Sequence, residues 1–237
     1  YKMKLTTEQI DQLFAFTRQH YVEWYDLQSE LVDHLANAIE EQWQENPNRS
    51  FEEALHIEFS KFGIFGFMDV VEQRQMALSK KYNGIVWQLF KDFCGVPKII
   101  LTVAFTLLLF TFIKISLFKE WILVGFYIIL IVFTFYEMFK NRKTRKDKKK
   151  LNEKRWLFEE IINQYGTFSA TIILPLNLLF QLINHGDYFL TNDYWILGIS
   201  FLFVLFSLVL FILFKIIPAK ASFYLEQTYP GYKLEKL

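Results

Sequence analysis

Apolar residues in the second half of the chain form runs long enough to cross a membrane. A bilayer core about 30 Å thick requires about 20 apolar residues, at a rise of about 1.5 Å each. The pattern predicts four transmembrane helices within residues 97–217, at about 97–118, 121–139, 161–183 and 194–217. The third is the least regular, because Pro175 and Asn177 interrupt its apolar run. We therefore expect an all-α protein whose C-terminal part is a four-helix transmembrane bundle.

In the first part of the chain, apolar residues recur at helical spacing rather than in continuous runs. Residues 1–84 are predicted to form a cytoplasmic helical domain, in which Thr6 and Gln9 open the first helix as a capping box. A second helix, about 22–43, carries apolar residues at helical spacing and ends before Pro47. Its apolar stripe comprises Leu27, Leu31, Leu35, Ala38 and Ile39.

Two further helices follow in the same domain. Ser50 and Glu53 form a second predicted capping box, and Gly63 is expected to end that third helix. A fourth helix, about 67–81, is expected to break at Asn83-Gly84. Residues 85–96 are then predicted to form a separate amphipathic linker helix on the membrane surface, leading into the first span.

The charges between the spans predict the orientation of the chain. Residues Lys140 to Arg155, within a predicted loop 140–160, contain ten basic and two acidic residues. The loops on the other side together contain one lysine, Lys119. By the positive-inside rule the basic loop lies in the cytoplasm. Four spans then place both termini there, including a tail at 218–237, so we expect a multi-pass protein of the cytoplasmic (inner) membrane.

The basic run has two interpretations. It is typical of a solvated helix that records orientation, and it is also typical of a patch for anionic lipid or nucleic acid. We expect anionic lipid headgroups near Lys140 to Arg155 and no direct contact with nucleic acid. Composition adds that Cys94 is the single cysteine, which excludes an internal disulfide and a thiolate-built zinc site. The polar, periodic opening residues predict no cleavable signal peptide.

Polar groups within the spans would indicate transport chemistry. Lys114 and Glu137 lie near span ends, where their charges can snorkel to the interface. Asn177 and Gln181 are one helical turn apart and could face the bundle interior, where interhelical hydrogen bonds are favoured over a substrate site. The spans contain no series of carboxylates suited to a proton relay, so transport is not supported.

The second helix carries the most concentrated polar chemistry of the N-terminal domain. Glu30 and His34, at i and i+4, could share a metal ion, but His56 is the only other histidine that could complete such a site. A hydrogen-bonding role for His34 is favoured, and metal binding by it stays open. No catalytic motif, phosphate loop or cofactor site is present in the sequence, so we expect no enzyme, no metal and no cofactor. We predict that the polar face of this helix binds a protein partner, through Glu30, Asp33, His34, Asn37 and Glu41.

Three stretches of the N-terminal half resemble a known family. Residues Tyr25 to Glu41 (YDLQSELVDHLANAIEE), Ser50 to Leu55 (SFEEAL) and the ending Phe62-Gly63 are similar to the HAAS-type helical signalling domain. The resemblance covers about residues 5–80 and implies a helical domain followed by several membrane spans. It also implies a partner of the PadR-like transcriptional regulator type.

Two hypotheses about function follow. The first is a non-enzymatic, membrane-anchored signalling or regulatory protein whose cytoplasmic domain binds a protein partner, such as a PadR-like regulator. The second is a structural or accessory subunit of a larger membrane protein complex, in which the phenylalanine-rich spans pack against another protein. A soluble DNA-binding partner would favour the first hypothesis, and a stoichiometric membrane complex would favour the second.

Overall fold

The computed structural model describes residues 4–150, 154–165, 177, 180–181, 184 and 190–232. These residues are helical, with turns and short connections between the helices, and the described ranges contain no strand. They fall into two compact units. The N-terminal unit comprises the chain up to Lys80, residues 152–161, and the chain from Tyr229 on. The spanning unit comprises residues 81–151 and 162–228.

Four helices open the chain: α1 (Thr7–Gln19), α2 (Tyr25–Glu45), α3 (Phe51–Ser60) and α4 (Met68–Cys94). The predicted capping box of α1 is confirmed, since Thr6 Oγ1 accepts from the Gln9 backbone N–H and the Gln9 side chain accepts from the Thr6 N–H. Ser50 likewise caps α3 by accepting from the Glu53 N–H at 3.2 Å. This contact confirms the Ser50 half of the second predicted capping box. Helix α2 begins three residues later than predicted, at Tyr25.

The apolar stripe of α2 forms the core of the N-terminal unit, as its spacing predicts. Leu27, Leu31, Leu35 and Ile39 are buried together with Leu13 of α1. Aromatic side chains pack beside them, with the ring centroids of Phe16 and Phe59 5.1 Å apart and those of Phe59 and Phe67 5.0 Å apart. Gly66 permits this packing because a Cβ there would lie 2.9 Å from the Phe59 ring and its φ of +55° suits glycine.

A polar cluster joins α2 to α3. Glu58 is buried and accepts hydrogen bonds from Gln42 and, at 2.6 Å, from Lys61. Gln42 also donates to the Ala54 carbonyl at 3.3 Å and accepts from Arg49 at 2.8 Å. Burial acts to raise the pKa of Glu58, but the hydrogen bonds and the charge of Lys61 outweigh it and hold that pKa below its usual value.

The expected break at Asn83-Gly84 is wrong. Helix α4 continues through both residues to Cys94, so the predicted linker helix 85–96 is the second half of a 27-residue helix. Glycine inside a helix costs only about 1 kcal/mol, which the flanking helix-forming residues can offset. The boundary between the two units falls within this helix, after Lys80.

Within the described residues, three helices are long and apolar enough to cross a membrane, as in a multi-pass membrane protein. They are α5 (Lys98–Ile115), the apolar part of α6 (Lys119–Lys150), and α8 (Asp193–Phe211) with its continuation to Ala219. They match three of the four predicted spans. Most of the third predicted span, 161–183, lies outside the described residues, and its first residues belong to α7 (Leu157–Tyr165).

Side-chain contacts align the three long helices. Lys114, near the end of α5, pairs with Asp193 at the start of α8, and Lys119 at the start of α6 donates to the Leu190 carbonyl at 3.3 Å. At the other end, Asn141 of α6 donates to the Phe214 carbonyl. Helix α5 is therefore antiparallel to α6 and α8, which run parallel to each other.

The basic stretch after the second span is not an open loop over its whole length. Helix α6 continues as far as Lys150, so most of the predicted loop 140–160 is a helical extension of the span. The predicted tail 218–237 is also partly helical. After a π-helical turn (Ile212–Ile216) come α9 (Ile217–Ala219), α10 (Ala221–Thr228) and a 3₁₀ turn (Pro230–Tyr232).

Candidate functional site

The five predicted partner-binding residues lie on one exposed face of α2. Glu30, Asp33, His34, Asn37 and Glu41 are all exposed, while the opposite face of the helix is buried. Asn37 donates to Asp33 at 3.4 Å, and Arg74 of α4 lies 4.0 Å from Glu30. The face therefore stays largely open to solvent, with three carboxylates and one imidazole exposed.

The His34 side chain lies beside an aromatic ring. Its ring faces Phe62, with centroids 6.1 Å apart. Within the described ranges, no group of three or more His, Cys, Asp or Glu side chains is arranged to hold a metal ion.

An exposed apolar loop follows Phe62, whose ring contacts His34 of this face. Ile64 is 99% exposed and Phe65 is 66% exposed. Gly63 and Gly66 hold the loop with φ values of +75° and +55°, which side-chain-bearing residues rarely adopt. Exposed apolar side chains of this size mark interaction surfaces when they are grouped. We call Ile64, Phe65 and the α2 polar face together the partner face.

A second site lies at the first turn of α2, where two distant segments of the chain meet. The half-buried Asp26 carboxylate accepts from the Leu157 backbone N–H at 3.0 Å through Oδ1. Its Oδ2 accepts from the Tyr229 hydroxyl at 2.6 Å. Leu157 is the first residue of α7, so Asp26 supplies the negative charge and the acceptor that a helix N-terminus favours. One carboxylate thus holds both the segment that follows α6 and the segment that follows α10.

Aromatic packing surrounds the Asp26 contacts. Trp156 is 7% exposed, and its ring lies 5.6 Å from Tyr25, 4.9 Å from Tyr229 and 5.2 Å from Tyr232 between centroids. Aromatic pairs at such distances contribute about 0.5–1.5 kcal/mol beyond the area they bury. Asp26, Trp156 and Tyr229 are called the docking site below.

Charged and backbone contacts extend the docking site along α2. The Tyr25 N–H donates to the Arg155 carbonyl at 2.7 Å. The Arg155 guanidinium pairs with Glu23 at 2.6 Å, and the Lys154 ammonium lies 3.7 Å from the centre of the Tyr25 ring. These contacts use the last residues of the basic stretch, whose sequence indicated only topology or lipid binding.

Burial and the Asp26 charge both act on Tyr229. Burial raises the pKa of the Tyr229 phenol, and the neighbouring carboxylate raises it further, because it repels the phenolate and accepts a hydrogen bond only from the neutral form. The phenol therefore stays protonated through and above the physiological range. The available signal in the sequence was the aromatic content of two otherwise charged segments, at Trp156 and at Tyr229 and Tyr232.

Glu137 is 3% exposed and lies between Lys215 at 3.6 Å and Lys140 at 3.7 Å. Lys215 belongs to the π-helical turn, a feature often found at functional positions. Lys114 is exposed and pairs with Asp193.

The exposure of Asn177 and Gln181, the polar pair of the third predicted span, differs from the expectation. Gln181 donates to Asn177 at 3.0 Å, and both side chains are exposed rather than turned to a bundle interior.

Comparison of the chain with protein-family models, with curated proteins and with solved structures found no match in any of the three.

Proposed function

We propose that this protein is a membrane-anchored signalling or regulatory protein that binds a protein partner through the partner face and couples that face to its membrane helices. The observation that carries the proposal is the position of Asp26. It holds the segments that follow α6 and α10, and it lies on the same helix as Glu30, one turn away. A helix moves as a rigid element, so a change at the docking site reaches the partner face directly.

The chemistry of the partner face supports a protein partner. It contains the exposed apolar side chains of Ile64 and Phe65, and its α2 side is acidic, at Glu30, Asp33 and Glu41. An apolar anchor beside a charged rim is the usual composition of a transient protein interface. The acidic residues suit a basic partner surface. The similarity of α2 and α3 to the HAAS-type domain favours a PadR-like regulator as that partner.

The proposed topology has four spans with both termini in the cytoplasm. Residues 154–161 and 229–232 belong to the same compact unit as α1–α3, so all three belong on one side of the membrane. Helices α5 and α6 account for two crossings between α3 and residue 154, and α8 for one more before Tyr229. A return to the same side requires an even number of crossings, which supports a fourth between residues 162 and 192. The ten basic residues of 140–155 favour the cytoplasm as that side.

The experiment is a gentle-detergent affinity purification of the full-length tagged protein, with mass spectrometry of the proteins recovered. The wild type is compared with Asp33→Ala/His34→Ala, with Ile64→Ser, and with Glu52→Ala/His56→Ala. The last variant is a matched control, because it removes an acid and a histidine from the exposed side of α3. Ile64 is almost fully exposed, so its replacement tests binding with little effect on folding.

Recovery of a small winged-helix regulator that is lost in the first two variants and retained in the control would support the proposal. The coupling is supported if Asp26→Asn also changes the amount recovered while the protein stays folded. Recovery of a stoichiometric membrane complex that no partner-face variant disturbs would contradict it, and would favour an accessory subunit instead.

A further inference from the structure

The spanning unit contains a groove that the proposed function does not use. It has a volume of about 720 Å³ and is lined by α5, α6 and α8. Its walls are almost entirely apolar and rich in phenylalanine, among them Phe105, Phe112, Phe126, Leu130, Phe203 and Phe211. Apart from Phe93 of α4, its lining residues belong to the three helices that are long and apolar enough to cross a membrane.

Among the described residues, a single charged side chain lines this groove. Lys98, the first residue of α5, lies at one end, with its ammonium 4.6 Å from the centre of the Phe93 ring. The two hydroxyls in the lining are occupied within their own helices, since Thr102 donates to the Lys98 carbonyl and Ser207 to the Phe203 carbonyl. The lining therefore offers one cation at one end and hydrocarbon elsewhere.

The length of the groove matches a lipid of one leaflet. Lys98 and Phe112 are 14 residues apart on α5, which is about 21 Å along a helix. This exceeds half of a hydrocarbon core about 30 Å thick. A ligand with its charge at Lys98 would thus extend an apolar chain past the middle of the membrane.

A groove of this kind cannot stay empty or fill with water. An apolar lining offers water no hydrogen-bond partners, and a void of this size would forfeit the dispersion contacts of every side chain around it. In a membrane the available filling material is acyl chain. The end marked by Lys98 is also the end at which α6 carries its basic residues, because α5 and α6 are antiparallel. Such residues concentrate anionic lipid.

We infer that the groove binds one anionic phospholipid, with an acyl chain among the phenylalanines and the phosphate at Lys98. The inference does not depend on the partner face or on the docking site. It differs from general attraction of anionic lipid to residues 140–155, because it places one lipid in a defined site within the spans.

The test is native mass spectrometry of the full-length, delipidated protein titrated with phosphatidylglycerol or with phosphatidylcholine. Two variants address the site: Lys98→Gln removes the cation, and Thr102→Phe fills the groove. Each has a matched control. Lys143→Gln removes an exposed lysine of α6 at the same end, and Val103→Phe adds the same ring to the exposed side of α5.

We expect one phosphatidylglycerol per chain in the wild type and in both controls. Lys98→Gln should weaken its binding about fivefold, which corresponds to about 1 kcal/mol per lysine near a membrane surface, and Thr102→Phe should abolish it. Equal retention by all variants, or equal binding of phosphatidylcholine, would overturn the inference. So would a groove occupied by residues 166–189 or by a second copy, detected as a cross-link from those residues to Phe105→Cys or as a dimer without lipid.

Discussion

The hydroxyl of Tyr229 donates a 2.6 Å hydrogen bond to the carboxylate of Asp26, 203 residues earlier in the chain. The same carboxylate accepts from the first N–H of α7. The end of the chain after the last span and the segment after the second span are therefore held by one side chain on α2. Any movement of either segment acts on the helix that carries the partner face.

Replacing Asp26 by Asn should loosen both segments. The amide keeps the shape of the carboxylate but loses the charge, and hydrogen bonds to a charged group contribute about 1.5–3 kcal/mol each. We expect faster limited proteolysis after Thr228 and between Lys150 and Leu157 in Asp26→Asn. Asp33→Asn, on the exposed face of the same helix, should leave the cleavage pattern unchanged.

A double-mutant cycle separates the Asp26–Tyr229 contact from general weakening of the fold. The free energies of unfolding of Asp26→Asn, Tyr229→Phe and the double variant should be non-additive by about 0.5–3 kcal/mol. Additive losses would mean that the two side chains do not interact in solution.

The Tyr229 phenol should make the N-terminal unit sensitive to alkaline pH. Its pKa is raised in the folded state, whereas the unfolded chain releases the proton near pH 10. Above that pH the unfolded state binds fewer protons than the folded state, so the free energy of unfolding falls as pH rises. Urea unfolding from pH 8 to 11 should show the Tyr229→Phe variant losing less stability above pH 10 than the wild type.

Glu58 should produce the opposite dependence at acid pH. Its pKa is held below its ordinary value of 4.5, so its contribution to stability is present above that value and is lost as pH falls through the folded pKa. At pH 7, Glu58→Gln should be less stable than the wild type, because the contacts to Lys61 and Gln42 lose their charge. The difference should shrink as the pH is lowered below 4.5, and a difference independent of pH would exclude this cause.

Because Glu137 is buried, removing one of its lysine partners should affect stability differently from removing its carboxylate. Glu137 is buried, while the Lys215 and Lys140 side chains are about half exposed, at 50% and 57%. Lys215→Met leaves a buried carboxylate with one lysine, whereas Glu137→Gln leaves two lysines that can reach water. We expect the lower unfolding temperature in detergent for Lys215→Met, and the reverse order would show that Glu137 is not buried in the protein as solubilised.

Local sequence patterns were sufficient to predict many of the helical features of this protein. The stripe of Leu27, Leu31, Leu35 and Ile39 is buried as its period predicts, and the capping box at Thr6 forms as the sequence predicts. Three apolar runs appear as helices of spanning length. Each of these features depends on residues a few positions apart, whose periodicity and hydrogen-bonding groups are visible in the sequence itself.

Continuity between helices was harder to predict. Asn83-Gly84 is a strong stop signal in isolation, yet α4 continues through it. Its intrinsic cost is small compared with what the burial of Leu78 and Tyr82, just before it in the helix, supplies. Propensity therefore yields to packing wherever the penalty is only about 1 kcal/mol.

The sequence by itself determined the helices, the division into a polar and an apolar part, and the exposed acidic face of α2. The tertiary structure decided that Leu157 and Tyr229 meet Asp26, that Lys215 meets Glu137, and that Lys98 lies at one end of an apolar groove. The reason is physical. The first group depends on spacing along one helix, whereas the second joins groups up to 203 residues apart, and such groups meet only after the chain has folded.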